Sequence, residues 1–190
     1  MDRDMNNSTQ DIWLKKSHSQ YSLAEKLKMA LWWFVEALLF RPSLHKMHAW
    51  RRFLLKIFGA KLGNGSSVHA TAKIWFPWNL EMGNNSGIGF DALIYNLDKI
   101  KIGDFVTVSQ RTHINTGSHD YTVPEFTLVT APVHIESGAF IGTDSYINMG
   151  VTIGKMAVIG ARSVVTKDMP ENMICVGHPC KPIKQRIKKV

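Results

Sequence analysis

The sequence predicts a mainly β fold, a triangular solenoid of short parallel strands preceded by a helical segment. Two observations predict it: apolar residues return at every sixth position from residue 62 onward, and they recur at helical spacing before that point. The 190 residues are 45% hydrophobic and 20% charged, which is ordinary globular composition and enough chain for a sizeable core. We divide the chain into a helical segment (1–61), a repeat domain (62–180) and a basic tail (181–190).

The helical segment predicts two amphipathic helices. Apolar residues of the first lie at Leu23, Leu27, Ala30, Leu31, Phe34, Leu38 and Leu39. Pro42 ends this helix, and a second one is expected from about Ser43 to Phe58, where apolar and basic residues alternate.

Two interpretations of these helices remain open. In the first, their apolar faces pack on the main domain and cover the exposed end of the solenoid. In the second, residues 23–58 make a peripheral contact with an anionic membrane, with tryptophans at headgroup depth and basic residues toward lipid phosphate. Those basic residues are Arg41, Lys46, Arg51, Arg52 and Lys56.

The location of the protein is expected to be cytoplasmic. Residues 1–20 are polar and contain three aspartates, which is unlike a secretory signal. The longest apolar run, Met29 to Phe40, has twelve residues and includes Glu36, whereas a helix that crosses a bilayer needs about 20. If the helices bind lipid, the protein lies at the inner face of the membrane.

Charge is concentrated at the two ends of the chain, which has a net charge of +8. Residues 1–61 carry eleven basic and five acidic residues, and residues 181–190 carry five basic residues and no acid. The repeat domain carries seven basic and ten acidic residues. Because a protein that binds nucleic acid usually places its basic residues on the folded surface that meets phosphate, we expect no nucleic-acid partner.

The repeat domain contains four trains of apolar residues. Each six-residue unit predicts a short strand and a corner, three units make a coil, and each apolar side chain stacks on its equivalent about 4.8 Å away. Small residues near the corners, such as Ser66 and Ala72, let the chain turn, and glycine is expected to supply turn conformations. The trains are Leu62, Val68, Ile74, Leu80; Met82, Ile88, Ile94, Ile100; Ile102, Val108, Ile114; and Ile135, Ile141, Ile147, Ile153, Ile159, Val165.

Four short motifs accompany the repeat: Thr116-Gly-Ser-His-Asp120, Gly150-Val-Thr-Ile-Gly154, Val165-Thr-Lys-Asp168 and Gly177-His-Pro-Cys-Lys-Pro182. With these motifs the chain resembles the hexapeptide-repeat acyltransferases, and within them the bacterial O-acetyltransferases of colanic acid and exopolysaccharide biosynthesis. The resemblance implies a left-handed parallel β-helix that assembles as a homotrimer. It also implies transfer of acetyl from acetyl-CoA to a sugar hydroxyl of a surface polysaccharide or its precursor.

The predicted catalytic residue lies where the repeat breaks, between Ile114 and Ile135. Acetyl transfer from a thioester to an alcohol needs a base for the hydroxyl proton, and histidine, with a pKa of about 6.5, can accept it at neutral pH. The family uses the histidine of the Thr-Gly-Ser-His-Asp motif as this base, and the resemblance carries that role to His119. No covalent enzyme nucleophile is required, because the thioester is already activated.

The resemblance also implies where the two substrates bind. Coenzyme A would lie along the later coils, and its contacts would be Thr143 and Ala161 (pantetheine arm, through main-chain groups), Thr166 and Lys167 (near the adenine), and Lys181 and Lys184 (phosphates). The sugar acetyltransferases show Asn-Phe-Asn or Asn-Phe-Asp one coil before the catalytic histidine, where this chain has Gly89-Phe90-Asp91. Asp91 and Asn96 are therefore the candidate acceptor contacts.

Other functions give different expectations. An N-acetyltransferase of an amino sugar or antibiotic would use the same base and donor. A non-catalytic or metal-binding β-helix trimer would need histidines that converge, but their spacing lacks His-x4-His and we expect no metal. Two cysteines, Cys175 and Cys180, exclude a disulfide framework and a four-thiolate zinc site, and we expect them to be structural.

Overall fold

The computed structural model describes residues 21–187. Helix α1 (Leu23–Val35) begins at a capping box formed by Ser22 and Glu25 and continues as a π-helical turn, Glu36–Phe40. Helix α2 (His48–Ile57) begins five residues later than predicted. The carbonyl groups of Leu44 and His45, before the helix, accept hydrogen bonds from the Arg51 side chain.

Three parallel sheets form the sides of the triangular solenoid, which confirms the predicted fold class. The strands of the first face are β1 (Lys61–Leu62), β4 (Leu80–Met82), β7 (Ile100–Ile102), β12 (Val133–Ile135) and β15 (Thr152–Ile153). The strands of the second face are β2 (Ser67–Val68), β5 (Gly87–Ile88), β8 (Thr107–Val108), β13 (Phe140–Ile141), β16 (Val158–Ile159), β18 (Met173–Gly177) and β19 (Cys180–Gln185). The strands of the third face are β3 (Lys73–Ile74), β6 (Leu93–Tyr95), β9 (His113–Asn115), β14 (Tyr146–Ile147) and β17 (Val164–Val165).

The irregular steps in the repeat are accommodated at the corner between the third and first faces. Lys61 pairs with Glu81 and Glu81 with Lys101, so these coils have 20 residues instead of 18. Lys101 then pairs with His134, an offset of 33 residues, and His134 pairs with Thr152, an offset of 18. The extra residues of the longest coil include an antiparallel hairpin, β10 (Gly117–His119) and β11 (Leu128–Thr130).

The interior contains the residues that the six-residue period predicts. Every member of the four apolar trains is buried, and so are the small corner residues, including Ser66, Ala72, Thr112 and Ser145. Successive coils therefore stack like side chain on like side chain, and apolar burial is continuous from the first coil to the last.

The glycines that follow the apolar residues have a different cause from the one predicted. A methyl group on Gly142 would lie 2.6 Å from the Ala161 nitrogen, and one on Gly103 would lie 2.6 Å from the Ser137 nitrogen. These glycines are needed because the main chains of neighbouring coils approach closely, and their φ angles lie outside the left-handed region. Larger residues adopt the left-handed corner conformation, among them Asp91 (φ 54°) and Arg111 (φ 53°).

The C-terminal segment differs from the expected tail. Strand β19 pairs antiparallel with β18, so the expected boundary at residue 181 falls inside a hairpin that closes the second face. Cys175 of β18 and Cys180 of β19 are both buried, and burial raises the pKa of the Cys175 thiol to about 11. A thiol with such a pKa is protonated at neutral pH and is not a nucleophile.

The N-terminal helices pack on the first coil. The indole nitrogen of Trp32 donates a hydrogen bond of 2.8 Å to the Ile74 carbonyl, and the Trp32 ring contacts Phe40 and Phe58. Arg51 is also fully buried here, and its Nε donates to the Val68 carbonyl at 2.7 Å. In the membrane interpretation Arg51 would face lipid phosphate, and its burial on the first coil excludes it from that contact. Between residues 21 and 187, no helix combines the length and hydrophobicity that crossing a bilayer requires.

Candidate active site

The hairpin β10–β11 carries His119 away from the solenoid. It leaves the corner after β9 and returns where the Ala131 N–H donates to the Thr116 carbonyl at 3.0 Å. Gly117 pairs with Thr130 and His119 with Leu128, so the histidine lies on an ordered strand. Such placement on hydrogen-bonded backbone limits the positions that the imidazole can take.

The His119 ring is oriented by a single residue, Phe126. The Nδ1 atom lies 2.7 Å from the Phe126 carbonyl oxygen, and the two rings stack with centroids 4.4 Å apart and an interplanar angle of 5°. Because a carbonyl oxygen only accepts hydrogen bonds, Nδ1 carries the proton and the neutral ring has its lone pair on Nε2. This tautomer leaves Nε2 as the atom that can accept a proton from a substrate.

Phe126 was not found from the sequence. It follows His119 by seven residues, has a φ of 46°, and lies in a stretch without a periodic pattern. A non-glycine residue in the left-handed region has a conformational cost, which is typical of positions that other contacts hold in place. Here that conformation accompanies two contacts with the histidine, through the carbonyl and through the ring.

Asp120, the residue after the histidine, does not form a dyad with it. Its carboxylate accepts hydrogen bonds from the main chain and the hydroxyl of Thr122, at 2.9 and 2.6 Å. These bonds lower the pKa of Asp120, and they close a local turn at the hairpin tip. Asp120 therefore shapes the hairpin.

Asn115 fixes the point where the hairpin leaves the solenoid. Its side-chain amide donates 2.9 Å hydrogen bonds to the Gly117 carbonyl and to the Tyr146 hydroxyl, and its carbonyl accepts from the Gly117 N–H at 3.3 Å. The Tyr146 hydroxyl in turn donates to Asn148 at 3.4 Å. Asn115 was not predicted from the sequence. The signal that could have found it is its position at the end of the last strand before the break in the repeat.

We expect Asn115→Ala to lower the turnover number of acetyl transfer about tenfold, because losing the bonds to Gly117 frees the base of the hairpin, at roughly 1 kcal/mol for each hydrogen bond. The Michaelis constant for the donor should stay unchanged. Steady-state kinetics, together with the thermal midpoint, separate this positioning role from a loss of folded protein.

Tyr146→Phe is the matched control for Asn115→Ala, since it removes the two hydrogen bonds of the phenol, to Asn115 and to Asn148, and leaves those between Asn115 and Gly117. Its turnover number should stay within about threefold of wild type. That change corresponds to less free energy than one strong hydrogen bond contributes. A tenfold loss in Tyr146→Phe, or none in Asn115→Ala, would contradict the assignment of Asn115 as a positioning residue.

The two candidate acceptor contacts have different surroundings. Asn96 is fully buried, and its amide bonds the main chain of Phe76 in both directions, at 2.9 Å and 2.6 Å. The Asn96 amide is therefore occupied in holding two coils together. Asp91 is exposed at the corner between the second and third faces, where its N–H is bonded to the Thr71 hydroxyl.

Thr143 and Ala161 lie at the same corner as Asp91, one coil apart. The Arg162 N–H donates to the Thr143 carbonyl at 2.8 Å, which links these coils. Among the hydrogen bonds of residues 21–187, neither the Thr143 N–H nor the Ala161 N–H is a donor. Two free main-chain donors about 4.8 Å apart suit an extended chain that carries amide carbonyls.

Within one chain, the other four residues predicted to contact coenzyme A lie away from Thr143 and Ala161. Thr166 and Lys167 are exposed at the corner between the third and first faces, the corner from which the hairpin with His119 projects. Lys181 and Lys184 are exposed on β19, at the edge of the second face. The predicted residues thus lie at both ends of the third face.

The other polar clusters described below do not form a site as ordered as the one around His119. Within residues 21–187 no three histidine, cysteine, aspartate or glutamate side chains are grouped to hold a metal ion. His113 is half-buried beside the Tyr146 ring, and burial lowers its pKa. Arg111 and Asp144 form a bidentate ion pair of 2.7 and 3.0 Å across one corner, which ties neighbouring coils.

Comparisons with known proteins agree with this architecture. A family model for the hexapeptide repeat of succinyl-transferase matches residues 132–167. The chain is 39% identical over 162 residues to a protein of Escherichia coli described as a colanic acid biosynthesis acetyltransferase, covering 85% of this chain and 89% of that protein. It is 30% identical over 138 residues to the galactoside O-acetyltransferase of E. coli, covering 71% and 68% of the two chains.

A solved structure gives the same result for the fold. The hexapeptide-repeat-containing acetyltransferase of Vibrio cholerae, in complex with acetyl coenzyme A, aligns with a TM-score of 0.80 at 26% sequence identity. The alignment covers 93% of this chain and 97% of that chain, so it includes the helices as well as the solenoid.

Proposed function

This chain belongs to the hexapeptide-repeat acetyltransferases, and we propose that it transfers an acetyl group from acetyl-CoA to a sugar hydroxyl of a surface polysaccharide or its precursor. The observation that carries the proposal is the orientation of His119, whose Nδ1 is bonded to the Phe126 carbonyl and whose Nε2 is left for a substrate. The two curated relatives named above support the sugar as acceptor, since their descriptions refer to a polysaccharide and a galactoside.

In the proposed reaction His119 is the general base. Its Nε2 takes the proton of the acceptor hydroxyl while the hydroxyl oxygen attacks the thioester carbonyl carbon. The tetrahedral intermediate collapses, the carbon–sulfur bond breaks, and the imidazolium returns its proton to the departing thiolate. The Phe126 carbonyl stabilises the imidazolium in between, because it accepts the hydrogen bond from Nδ1–H.

The donor is proposed to lie along the corner of Thr143 and Ala161. Their free N–H groups would bond the amide carbonyls of the pantetheine arm, and Lys181 and Lys184 on β19 would face its phosphates. Thr166 and Lys167 lie at the other end of the third face, so they would contact the adenine end of a donor bound to a neighbouring subunit. No metal takes part in these steps.

We propose that the site forms between subunits of a homotrimer. Asp91, Thr143 and Ala161 lie at one end of the third face, and His119 lies at the other. A neighbouring subunit around a threefold axis can bring its hairpin to the corner that holds Asp91, Thr143 and Ala161. Asp91 of one copy and His119 of the next would then contact the same acceptor.

The proposal is tested with purified protein, acetyl-CoA and a panel of nucleotide-linked, lipid-linked and polymeric glycans. Release of free thiol that depends on the glycan establishes acetyl transfer, and mass spectrometry of the product identifies the acceptor. An ester is cleaved by mild base and an amide is not, so base treatment separates O-acetylation from N-acetylation. A base-stable product, or no thiol release with any glycan, would contradict the proposed reaction.

Removing the charges of Lys181 and Lys184 is expected to raise the Michaelis constant for acetyl-CoA several-fold and to leave the turnover number unchanged. Both lysines are exposed, so their attraction for phosphate acts over about 8–10 Å and is screened by salt. The difference between Lys181→Ala/Lys184→Ala and wild type should therefore shrink as ionic strength rises. Lys155→Ala removes an exposed charge from another corner and is the control. Equal donor constants at low salt would place both lysines outside the donor site.

A further inference from the structure

Helix α1 has a stripe of apolar side chains that the fold leaves uncovered. The stripe consists of Leu23, Leu27, Leu31, Phe34 and Leu38, which follow one another at helical spacing. All five are exposed, Leu27 by 73% and Phe34 by 63%. Contiguous exposed apolar residues of this size are uncommon on a soluble surface and mark a contact with something else.

The stripe is not the face with which the helix packs on the solenoid. That contact uses Trp32, Glu36 and Phe40, which are spaced four residues apart and are all buried. Trp32 and Phe40 pack ring against ring, and the Trp32 indole is bonded to the first coil. The helix therefore has two apolar faces, and intramolecular packing accounts for one of them.

Helix α2 extends the uncovered surface. Trp50 donates a hydrogen bond of 3.0 Å to the Leu39 carbonyl and stacks on Phe53 with ring centroids 5.8 Å apart. Phe53 and Ile57, one helical turn apart, are both exposed. Trp50 thus links the end of the π-helical turn to the exposed apolar residues of α2.

The charges around this surface are almost all positive. Of the acidic residues between residues 21 and 58, Glu36 is buried and Glu25 is engaged by its own capping box. The exposed basic residues in the same range are Lys26, Lys28, Arg41, Lys46 and Lys56. The repeat domain, by contrast, has more acidic than basic residues, so the positive charge is concentrated where the apolar surface lies.

We propose that this surface, the stripe of α1 with Phe53 and Ile57 of α2, lies on an anionic lipid bilayer. Apolar and aromatic side chains that project from helices rich in lysine and arginine are the pattern of interfacial membrane contacts. A second copy of the chain would present the same basic residues, and a self-complementary contact would bring like charges together. The bilayer satisfies both the apolar side chains and the positive charge.

The test is cosedimentation of the full-length protein with phosphatidylcholine vesicles, with and without about 30% phosphatidylglycerol. Wild type should bind the anionic vesicles at low salt, bind less at high salt, and leave the neutral vesicles unbound. Leu27→Gln/Phe34→Gln keeps helix formers on α1 and should reduce binding to the level of neutral vesicles. Lys46→Ala/Lys56→Ala should lower the partition coefficient about 25-fold, or about fivefold for each charge.

Phe105→Gln is the matched control, because Phe105 is 66% exposed on the solenoid, two coils away from the helices. It should bind as wild type does, and unchanged thermal midpoints should show that all variants are folded. Two results overturn the proposal: wild type that does not bind anionic vesicles at low salt, or stripe variants that bind as wild type does. If wild type does not bind vesicles and a stripe variant changes the oligomeric state in light scattering, the surface is a contact between copies of the chain. None of these readouts involves acetyl transfer, so failure here is distinct from failure of the proposed function.

Discussion

Replacing His119 by alanine is expected to lower the turnover number of acetyl transfer by at least about 100-fold, the usual contribution of a general base. Without the imidazole, nothing at this position of the hairpin can take the proton of the attacking hydroxyl. The hairpin itself should persist, because its main-chain hydrogen bonds and the contacts of Asn115 do not involve the imidazole. Thiol release with a saturating acceptor, measured beside the thermal midpoint, separates lost chemistry from lost fold.

His134→Ala is the control for His119→Ala, since it removes a half-buried histidine from the first face, away from the hairpin. Its turnover number should match that of wild type. The proposed role of His119 is wrong if His119→Ala keeps more than about a tenth of wild-type turnover, which is far above what loss of a base leaves.

The same variant tests whether the site is shared between subunits. Inactive His119→Ala protein can be mixed, after dissociation, with an Asp91→Ala variant. If each site takes His119 from one copy and Asp91 from its neighbour, reassociation at equal amounts restores up to about a quarter of wild-type activity. No recovery in verified mixed oligomers would place both contacts within one subunit or remove Asp91 from the site.

The six-residue period predicted the solenoid well because it reflects a single physical requirement. One side chain in each unit has to point inward and stack on its equivalent in the next coil, and all the residues of the apolar trains do so. Insertions did not disturb the prediction, since the longer coils place their extra residues at one corner. A local, repeated constraint of this kind is visible in one sequence.

The contacts that orient the site were less predictable, because they depend on how an irregular segment folds back. Phe126 meets His119 only after the hairpin has formed, and the sequence of residues 119–126 does not show which side chain returns to the histidine. Buried polar residues were also difficult to predict. The family resemblance made Asn96 a candidate acceptor contact, and the membrane interpretation turned Arg51 toward lipid. In the structure both bond main-chain atoms in the interior.

The second large effect is expected at Arg51: Arg51→Met should lower the free energy of unfolding by about 3–5 kcal/mol. Each hydrogen bond to a charged group contributes about 1.5–3 kcal/mol, and two buried carbonyl groups lose such a donor. The guanidinium has five N–H donors, and all five have partners. These partners are the carbonyl groups of Val68, Leu44 and His45, the Ser43 hydroxyl and Nδ1 of His48. Methionine fills similar space but leaves the carbonyl groups of Val68 and His45 without donors, and each buried unsatisfied group is costly. The Leu44 carbonyl still accepts a hydrogen bond from the Met47 N–H at 2.9 Å.

The His48 contact makes this cluster sensitive to protonation. Nδ1 of His48 lies 3.0 Å from an Arg51 nitrogen and accepts its hydrogen bond, so the ring is neutral there. Burial and the nearby Arg51 charge lower the pKa of His48 below its usual value. The folded state therefore binds the proton less readily than the unfolded chain, and the contribution of His48 to stability is complete above about pH 6.5 and declines as the pH falls below it.

Denaturant unfolding of Arg51→Met at neutral pH measures the expected loss, with Lys46→Met as the control because Lys46 is exposed between the two helices. The control should change the free energy of unfolding by less than about 0.5 kcal/mol, as surface substitutions usually do. Arg51→Lys retains the charge but can supply at most three donors, so it should fall between the two. A destabilisation of Arg51→Met no larger than that of Lys46→Met would show that the junction between helices and solenoid does not depend on the guanidinium. Apolar contacts such as those of Trp32 would then suffice to hold the helices on the first coil.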